Sequence, residues 1–421
     1  MQYSTKVCVV GTTADYIDWI RGSCPGRALF LTDPMVRQQA QEPRPTPAEE
    51  ILCDLSDYVQ VRQALQQHLR HEGLRLDGIA SYDCESMELA AVVAQEYALP
   101  YPSVQAVNNC RSKYLSRLLW HSHGLRTPRV RLIRSTAEAV CFFRELGGPC
   151  VVKPVSGSGS ELVFRCDSEQ ACETSFETIQ NGLKQRRANR LYKPLTDEEP
   201  MILAEAFLEG EEFSCDFVIE NGRVGIIRIA RKILSSQGPF GTALGYLLSD
   251  ALPDEVEEHD LLQTLYQGAT ALGLNRAICM LDFLILENRI VLLELAPRPG
   301  GDCLPFLLRR CWNLDPLTLF LNFCQQQPVC LEKPAHTHSC LGLRLHARQG
   351  GILKSVDVSR LRQDPRVREI HVIRNPGHLI RMPPDDYDSW LLGHIIVEPV
   401  TDVELESECQ SFIEKVLVEI V

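Results

Sequence analysis

Val291-Leu292-Leu293-Glu294-Leu295-Ala296-Pro297-Arg298-Pro299-Gly300-Gly301 decides the fold once it is read with the apolar run before it. That run is Cys279-Met280-Leu281-Asp282-Phe283-Leu284-Ile285-Leu286, and Glu287-Asn288-Arg289 connects the two. Two apolar runs around a short polar connection predict a β-hairpin. With a three-residue loop, Leu286 pairs with Ile290 and the register sets Asp282 opposite Glu294. Side chains opposite each other on an antiparallel pair share a face. One face of an apolar hairpin therefore carries two adjacent carboxylates, which is costly unless a cation or a basic residue lies between them. Two protein carboxylates, with the other oxygens from phosphates, is how magnesium is usually held at a nucleotide site. Arg298 follows within a turn, ahead of a Gly300-Gly301 pair that lets backbone approach a ligand. One strand carboxylate alone would read as half of a structural ion pair. The pair, with Arg298 and the glycines, favours the metal.

A second constellation is Cys150-Val151-Val152-Lys153-Pro154, a short apolar strand carrying one lysine. Val155-Ser156-Gly157-Ser158-Gly159-Ser160-Glu161 follows, and Leu162-Val163-Phe164 resumes the strand. Small residues there let backbone amides turn toward an anion, and Lys153 emerges just before them. No Gly-Lys-Ser/Thr ends the loop, so it is not a Walker loop. Nor is it a dinucleotide fingerprint, which needs a strand-to-helix turn. Alone, such a loop is more often just a turn. The third piece runs from Met201 to Ile219 as strand, polar turn, strand, with Asn221-Gly222 as a hairpin turn after it. A strand edge here suits an adenine, and Glu212 suits a ribose diol. The alternative is a solvated acidic turn.

In this order and spacing the three pieces resemble the ATP-grasp superfamily of carboxylate–amine and carboxylate–thiol ligases. Its members include D-alanine–D-alanine ligase, biotin carboxylase and several purine-biosynthetic enzymes. The resemblance covers nearly the whole chain and implies a mixed α/β and α+β architecture: an ATP-grasp fold with an N-terminal Rossmann-like domain and a small C-terminal α+β domain. It implies that Lys113 and Lys153 contact ATP phosphates and that the loop Ser156, Gly157, Ser158, Gly159, Ser160 closes over them. The adenine hinge is similar to Glu205, Ala206, Phe207 and Leu208, and the ribose carboxylate to Glu212. Asp282 and Glu294 match the magnesium (or manganese) ligands. Arg298 matches the arginine that stabilises an acyl phosphate or positions the acceptor. Many members place an asparagine two residues after the second carboxylate. Ala296 stands there in this chain, and some purine-pathway members carry the same Ala-Pro-Arg.

The rest of the chain accords with this. At 421 residues it has room for several cores. With 45% hydrophobic and 23% charged residues, its composition is globular. A net charge of −12 argues against non-specific nucleic-acid or anionic-membrane binding. The basic run Lys184–Arg190 is the local exception, read as a solvated helix end or a segment near the phosphate loop. No apolar span of about 18 residues predicts a transmembrane helix, and no secretory signal is read. The 17 cysteines are scattered singly, many in apolar runs, which predicts free thiols in a reducing cytoplasm, not a disulfide framework or zinc site. His121-x-His123 and His336-x-His338 lack a nearby third ligand.

The expected organisation is a Rossmann-like domain over 1–108, a lid subdomain over 109–200, a catalytic subdomain over 201–330 and a C-terminal domain over 331–421. Expected strands include 7–11, 27–32, 76–80, 341–345 and 391–397. Expected helices include 59–71, 83–99, 112–124 and a closing helix over 403–418. Residues 233–248 show no period and read as a loop, with Arg231 and Lys232 just before it facing phosphate or substrate. The implied reaction is ATP-dependent ligation of a small carboxylate, such as an amino acid, to an amine through an acyl phosphate. Bicarbonate-dependent carboxylation, phosphotransfer and a non-catalytic nucleotide-binding regulator are the alternatives. A homodimer is compatible with the family.

Overall fold

The computed structural model describes residues 4–192, 201–249, 256–329, 331, 339–399 and 405–421. The His336-x-His338 pair falls outside these residues.

Four parallel strands open the chain: β1 (Ser4–Val10), β2 (Ala28–Thr32), β3 (Glu50–Leu52) and β4 (Leu74–Ala80), in the order β3-β2-β1-β4. The helix Tyr58–Glu72 buries Val61, Leu65 and Leu69, which recur every four residues and so share one face. Asp57 caps its start by accepting from the Gln60 amide, and Gly73, with φ +62°, ends it. The helix expected over 83–99 starts later, at Met87, and ends at Glu96. Its first residues form a turn instead, because the Asp83 carboxylate accepts the Ser86 amide at 2.6 Å. Sequence reading missed β3, which has only three residues, and the helix Val104–Arg111. The next helix, Lys113–Ser122, is capped by Ser112 on the Leu115 amide.

A second sheet holds β5 (Val130–Ile133), β6 (Cys150–Pro154), β7 (Phe164–Cys166) and β8 (Ile202–Ala206), in the antiparallel order β5-β8-β6-β7. Helices Thr136–Leu146 and Glu169–Gln185 pack against it through Phe142, Ile179, Cys150 and Val152. The basic run closes the second of these helices. There Arg186 pairs with Glu161 at 2.6 Å and donates to the carbonyls of Pro384 and Asp385.

The chain crosses at residues 207–210 into a large sheet. Its strands are β9 (Glu211–Glu220), β10 (Arg223–Leu234), β11 (Ala243–Ser249), β12 (Ala277–Leu286), β13 (Arg289–Ala296) and β14 (Cys340–His346). Then come β15 (Gly351–Asp357), β16 (Val367–Val372), β17 (Leu379–Ile380), β18 (Leu391–Val397) and β19 (Leu417–Ile420). The large sheet runs β13-β12-β9-β10-β11-β14-β18-β16, so three C-terminal strands extend it, while β17-β15-β19 form a small sheet. Asn221 and Gly222, both at positive φ, make the β9–β10 turn. The stretch expected as a loop over 233–248 instead contains β11, paired with β10 and β14, so only its first half is irregular. The closing helix spans Leu405–Ile413 and gives way to β19.

The β12–β13 hairpin forms, with a shorter connection than expected. Glu287 and Asn288 make a two-residue turn at φ +50° and +61°, so Leu286 pairs with Arg289 and Ile285 with Ile290. A bulge between Asp282 and Phe283 absorbs the one-residue difference, and Asp282 stands opposite Glu294.

One expectation about cysteine is corrected. Cys311 and Cys340 form a disulfide that ties the helix Leu304–Trp312 to β14. Residues 29 apart in sequence meet only through the fold. Of the free cysteines described, all but Cys84 and Cys141 are buried. Among the described residues, no helix is long and apolar enough to cross a membrane.

Candidate active site

A cavity of about 540 Å³ opens between the β5–β8 sheet and the large sheet. Strand alternation chooses its lining. Glu212 and Ser214 of β9, Lys232 and Leu234 of β10, and Met280, Asp282 and Leu284 of β12 all face it. These are the alternate positions of three neighbouring strands, so one sheet face becomes the floor.

On that floor Asp282 and Glu294 are direct partners across β12 and β13. Each meets a lysine. Lys232 Nζ lies 3.1 Å from Asp282 Oδ2 and also donates to Glu212. Lys113 Nζ lies 3.4 Å from Glu294 Oε1 and 2.7 Å from the Gly157 carbonyl. Burial disfavours charge on Lys232, but Asp282 and Glu212 outweigh it and raise its pKa well above the ordinary lysine value. The lysines engage one oxygen of each carboxylate, and both carboxylate residues line the cavity. That donor set, two adjacent carboxylates with room for phosphate oxygens, fits a hard divalent cation.

The roof comes from the smaller sheet. Lys153 on β6 is diagonal to Glu205 on β8 and forms an ion pair with it, and Arg117 Nη2 reaches the other Glu205 oxygen at 3.2 Å. Burial pulls the Lys153 pKa below the ordinary lysine value, against the pull of Glu205. For Glu205, burial opposes the charge, but Lys153 and Arg117 hold the carboxyl below its usual value. The Glu205 side chain therefore holds the lysine, not the hinge. Ala206, Phe207 and Leu208 line the cavity beyond it, with the Phe207 amide already donated to the Pro149 carbonyl.

The loop Ser156 to Ser160 lines the cavity, with Gly157 at φ +151° and Gly159 at φ +66°. Ser160 Oγ donates to the Gly241 carbonyl at 2.9 Å, and Phe240 packs edge-on against Phe207. The loop of one sheet thus touches the β10–β11 connection of the other.

At the far end, Arg298 directs Nε and Nη2 at Cys84 Sγ, at 3.1 and 3.0 Å, and Nη1 at the Pro299 carbonyl. The turn behind it is pinned from below. Asp216 accepts the Gly300 amide at 3.1 Å and two bonds from Arg228, at 3.0 and 2.8 Å. A Cβ at position 300 would run into Arg228 Nη2 and Asp216 Oδ1, so glycine is required there by close approach.

A family comparison matches residues 146–305 to the ATP-grasp domain. Those residues form an ATP-grasp domain. It is similar to the D-alanine–D-alanine ligase of Acidovorax ebreus (strain TPSY), 28% identical over 48% of this chain and 58% of that one. It is also similar to human carnosine synthase 1, 27% identical over 64% of this chain but 33% of that one. The chain thus spans only part of these relatives. Among solved structures, an L-amino acid ligase from Bacillus licheniformis superposes with a TM-score of 0.77 over 100% of both chains at 17% identity, a likeness of fold.

Nearly all the residues singled out from sequence converge on the cavity around this ATP-grasp domain: Lys113, Lys153, Ser156, Gly157, Ser158, Gly159, Ser160, Glu205, Ala206, Phe207, Leu208, Glu212, Lys232, Asp282, Glu294 and Arg298. Arg231 is the exception and is corrected here. Next to Lys232 on one strand, it must point to the opposite face, where it pairs with Glu211 at 2.7 Å, both side chains nearly half exposed. Replacing it with alanine is expected to change ATP binding and turnover by less than about twofold, since exposed ion pairs contribute about 0–1 kcal/mol. A tenfold loss in a steady-state assay would return Arg231 to the site.

Sequence reading missed Arg117, Tyr246, Asp302, Arg344 and Cys84. Arg117 was legible, because it lies four residues after Lys113 on one helix face. Arg344, 2.7 Å from Asp302, comes from β14 and enters only through the sheet order. Among the described residues, the cluster of close metal-type donors is Cys150, Cys166 and Cys172, buried in the core of the smaller sheet and not lining the cavity.

Proposed function

We propose that this protein is an ADP-forming carboxylate–amine ligase that joins an amino acid or similar small carboxylic acid to an amine. The observation that carries the reading is the Asp282–Glu294 pair, which shares one cavity with Lys113, Lys153, the Ser156–Ser160 loop and Arg298.

ATP lies between the sheets, with its adenine along Ala206–Leu208 and its ribose at Glu212. Lys113 and Lys153 neutralise the triphosphate, and the loop excludes water above it. Asp282 and Glu294 would hold magnesium or manganese, which would supply charge neutralisation at the triphosphate. The substrate carboxylate attacks the γ-phosphorus, forming an acyl phosphate and releasing ADP. The amine then attacks the acyl carbon and phosphate leaves. Arg298 presents a fork of donors to the carboxylate and then to the acyl phosphate. No residue needs to be a strong acid or base, because positioning and electrostatics account for this class of transfer.

The test is ADP and phosphate release from ATP and magnesium with pooled amino acids and other small carboxylic acids, with and without bicarbonate. Release that depends on an amino-acid pool, with a new amide in the product, is the expected result. Release that needs only bicarbonate overturns ligation in favour of carboxylation.

A further inference from the structure

Three cysteines meet in the core of the smaller sheet, away from the cavity. Cys150 on β6 and Cys166 on β7 are direct partners across the antiparallel pair, so their side chains share a face. Cys172 joins them from the start of the helix Glu169–Gln185. Three separate elements thus bring three sulfurs within 4.8 Å of one another, with Cys150 and Cys172 3.7 Å apart. All three residues are fully buried, in an apolar cluster with Phe142, Leu162 and Ile179. Structural zinc takes four ligands, and an iron–sulfur cluster takes four cysteines. Among the described residues no fourth donor of these types joins the three. Burial pushes the Cys172 thiol up to about 12, and hydrogen bonding to Cys166, with burial, pushes Cys150 up. Hydrogen bonds with Cys150 and Ser175 instead hold Cys166 below the ordinary thiol value. The Asp167 and Glu169 carboxylates add to the cost of thiolates at Cys166 and Cys172. Three thiolates around a monovalent or divalent ion would leave a net negative charge in this core, which is costly. A trivalent ion leaves none. With bonds of about 2.3 Å, the length that cysteine sulfur makes to zinc, a pyramidal three-sulfur site spaces its ligands by roughly 3.5–4 Å, as these sulfurs are spaced.

We propose that Cys150, Cys166 and Cys172 form a buried three-thiol site for a trivalent thiophilic metalloid, with arsenous acid as its simplest ligand. In the reaction three S–H bonds and three As–O bonds break, and three As–S bonds form. The thiol protons leave with the three hydroxyls as water, and arsenic stays trivalent, so no oxidant or reductant is needed. The product is neutral and apolar, which suits its surroundings. The site also lies at the base of the loop over the cavity. Residues 155–163 leave β6 and return in β7, and Lys153 stands three residues after Cys150 on β6. Bound arsenic therefore ties β6, β7 and the helix together beneath that loop. Binding requires neither ATP nor turnover, so its failure and the failure of ligation are separate results.

Entry to a buried site requires local opening. The full chain is therefore equilibrated overnight with arsenous acid, without any small thiol, and then desalted. Native mass spectrometry should show an arsenic adduct that has lost three thiol protons and keeps no hydroxyl. X-ray absorption at the arsenic edge should count three sulfur neighbours. Bound arsenic should raise Tm, and more so at higher concentration. Cys150→Ala, Cys166→Ala and Cys172→Val should each lose the adduct, or keep one with two sulfurs and a hydroxyl, and should lose the rise in Tm. Cys215→Ala, at a cysteine equally buried but outside the cluster, should keep both. Zinc offered alone should not survive desalting. The inference is overturned if the wild-type chain takes up no arsenic, if its arsenic has only two sulfur neighbours, if any of the three single variants keeps the full adduct, or if zinc is retained in a form that those variants lose.

Discussion

Glu294→Gln is expected to lower ADP release by about a hundredfold to a thousandfold, the loss typical of removing one electrostatic contact that matters in the transition state, while ATP still binds. The substitution keeps shape and removes charge. Glu294 lies opposite Asp282 and next to Lys113, with its side chain 30% exposed, so the fold does not depend on it. Its neutral replacement leaves Lys113 on the Gly157 carbonyl, where the loop stays tethered. What disappears is one of two anionic oxygen donors. ATP binding should persist, because the lysines, the hinge and Glu212 are untouched. Calorimetric ATP binding beside a coupled ADP assay, run on whichever acid pool supports release, separates the two effects. Normal turnover by this variant would sink the metal assignment. Loss of ATP binding with turnover would show instead that Glu294 acts through Lys113.

How much of this was legible in the sequence depends on where the partners lie along the chain. The hairpin that aligns Asp282 with Glu294 joins neighbouring runs, so alternation and a turn were enough to expect the pair. The bulge at Asp282/Phe283 and the two-residue turn were not legible individually, and their effects on register cancel. Lys153 and its glycine-rich loop are likewise local. Arg231 was misplaced for a local reason as well: adjacent residues on a strand cannot share a face, and a strand was not extended far enough to apply that rule. Arg344, Cys84 and the Cys311–Cys340 disulfide were beyond reach. Each depends on which strands and helices become neighbours, and period and propensity say nothing of that. The strand β11 was hidden because Gly245 interrupts its apolar run, and that glycine sits where a side chain would meet the Gly342 carbonyl of β14. The ATP-grasp resemblance supplied the order of the pieces, and the alternation of β9, β10 and β12 supplies the physical reason that they face one cavity.

Asp216→Ala is expected to destabilise the protein by about 3–5 kcal/mol, the cost of leaving one member of a buried ion pair alone. Arg228 and Asp216 are almost wholly buried, with side-chain exposures of 0% and 2%. Arg228 also donates to the Ser214 carbonyl and hydroxyl, so it is fixed on β9 from two directions. Alanine at 216 removes the anion and leaves a guanidinium, which does not deprotonate in a protein, in the core beneath the active site. The urea midpoint should fall with little change in slope, because the folded state loses stability without exposing more surface on unfolding. A second consequence separates this pair from an ordinary buried one. Asp216 also holds the Gly300 amide, so the turn that carries Arg298 loses its tether. Protein that remains folded should therefore lose ADP release although Arg298 itself is unchanged. Removing both charges, with Asp216→Leu and Arg228→Met together, should restore much of the stability, since paired apolar replacements of buried ion pairs are often neutral. It should not restore ADP release, because leucine cannot accept the Gly300 amide. A double variant that recovered both would show that the pair serves packing alone; an Asp216→Ala midpoint within about 1 kcal/mol of wild type, small against the range expected for a broken buried pair, would show that the guanidinium finds water or another acceptor in the core.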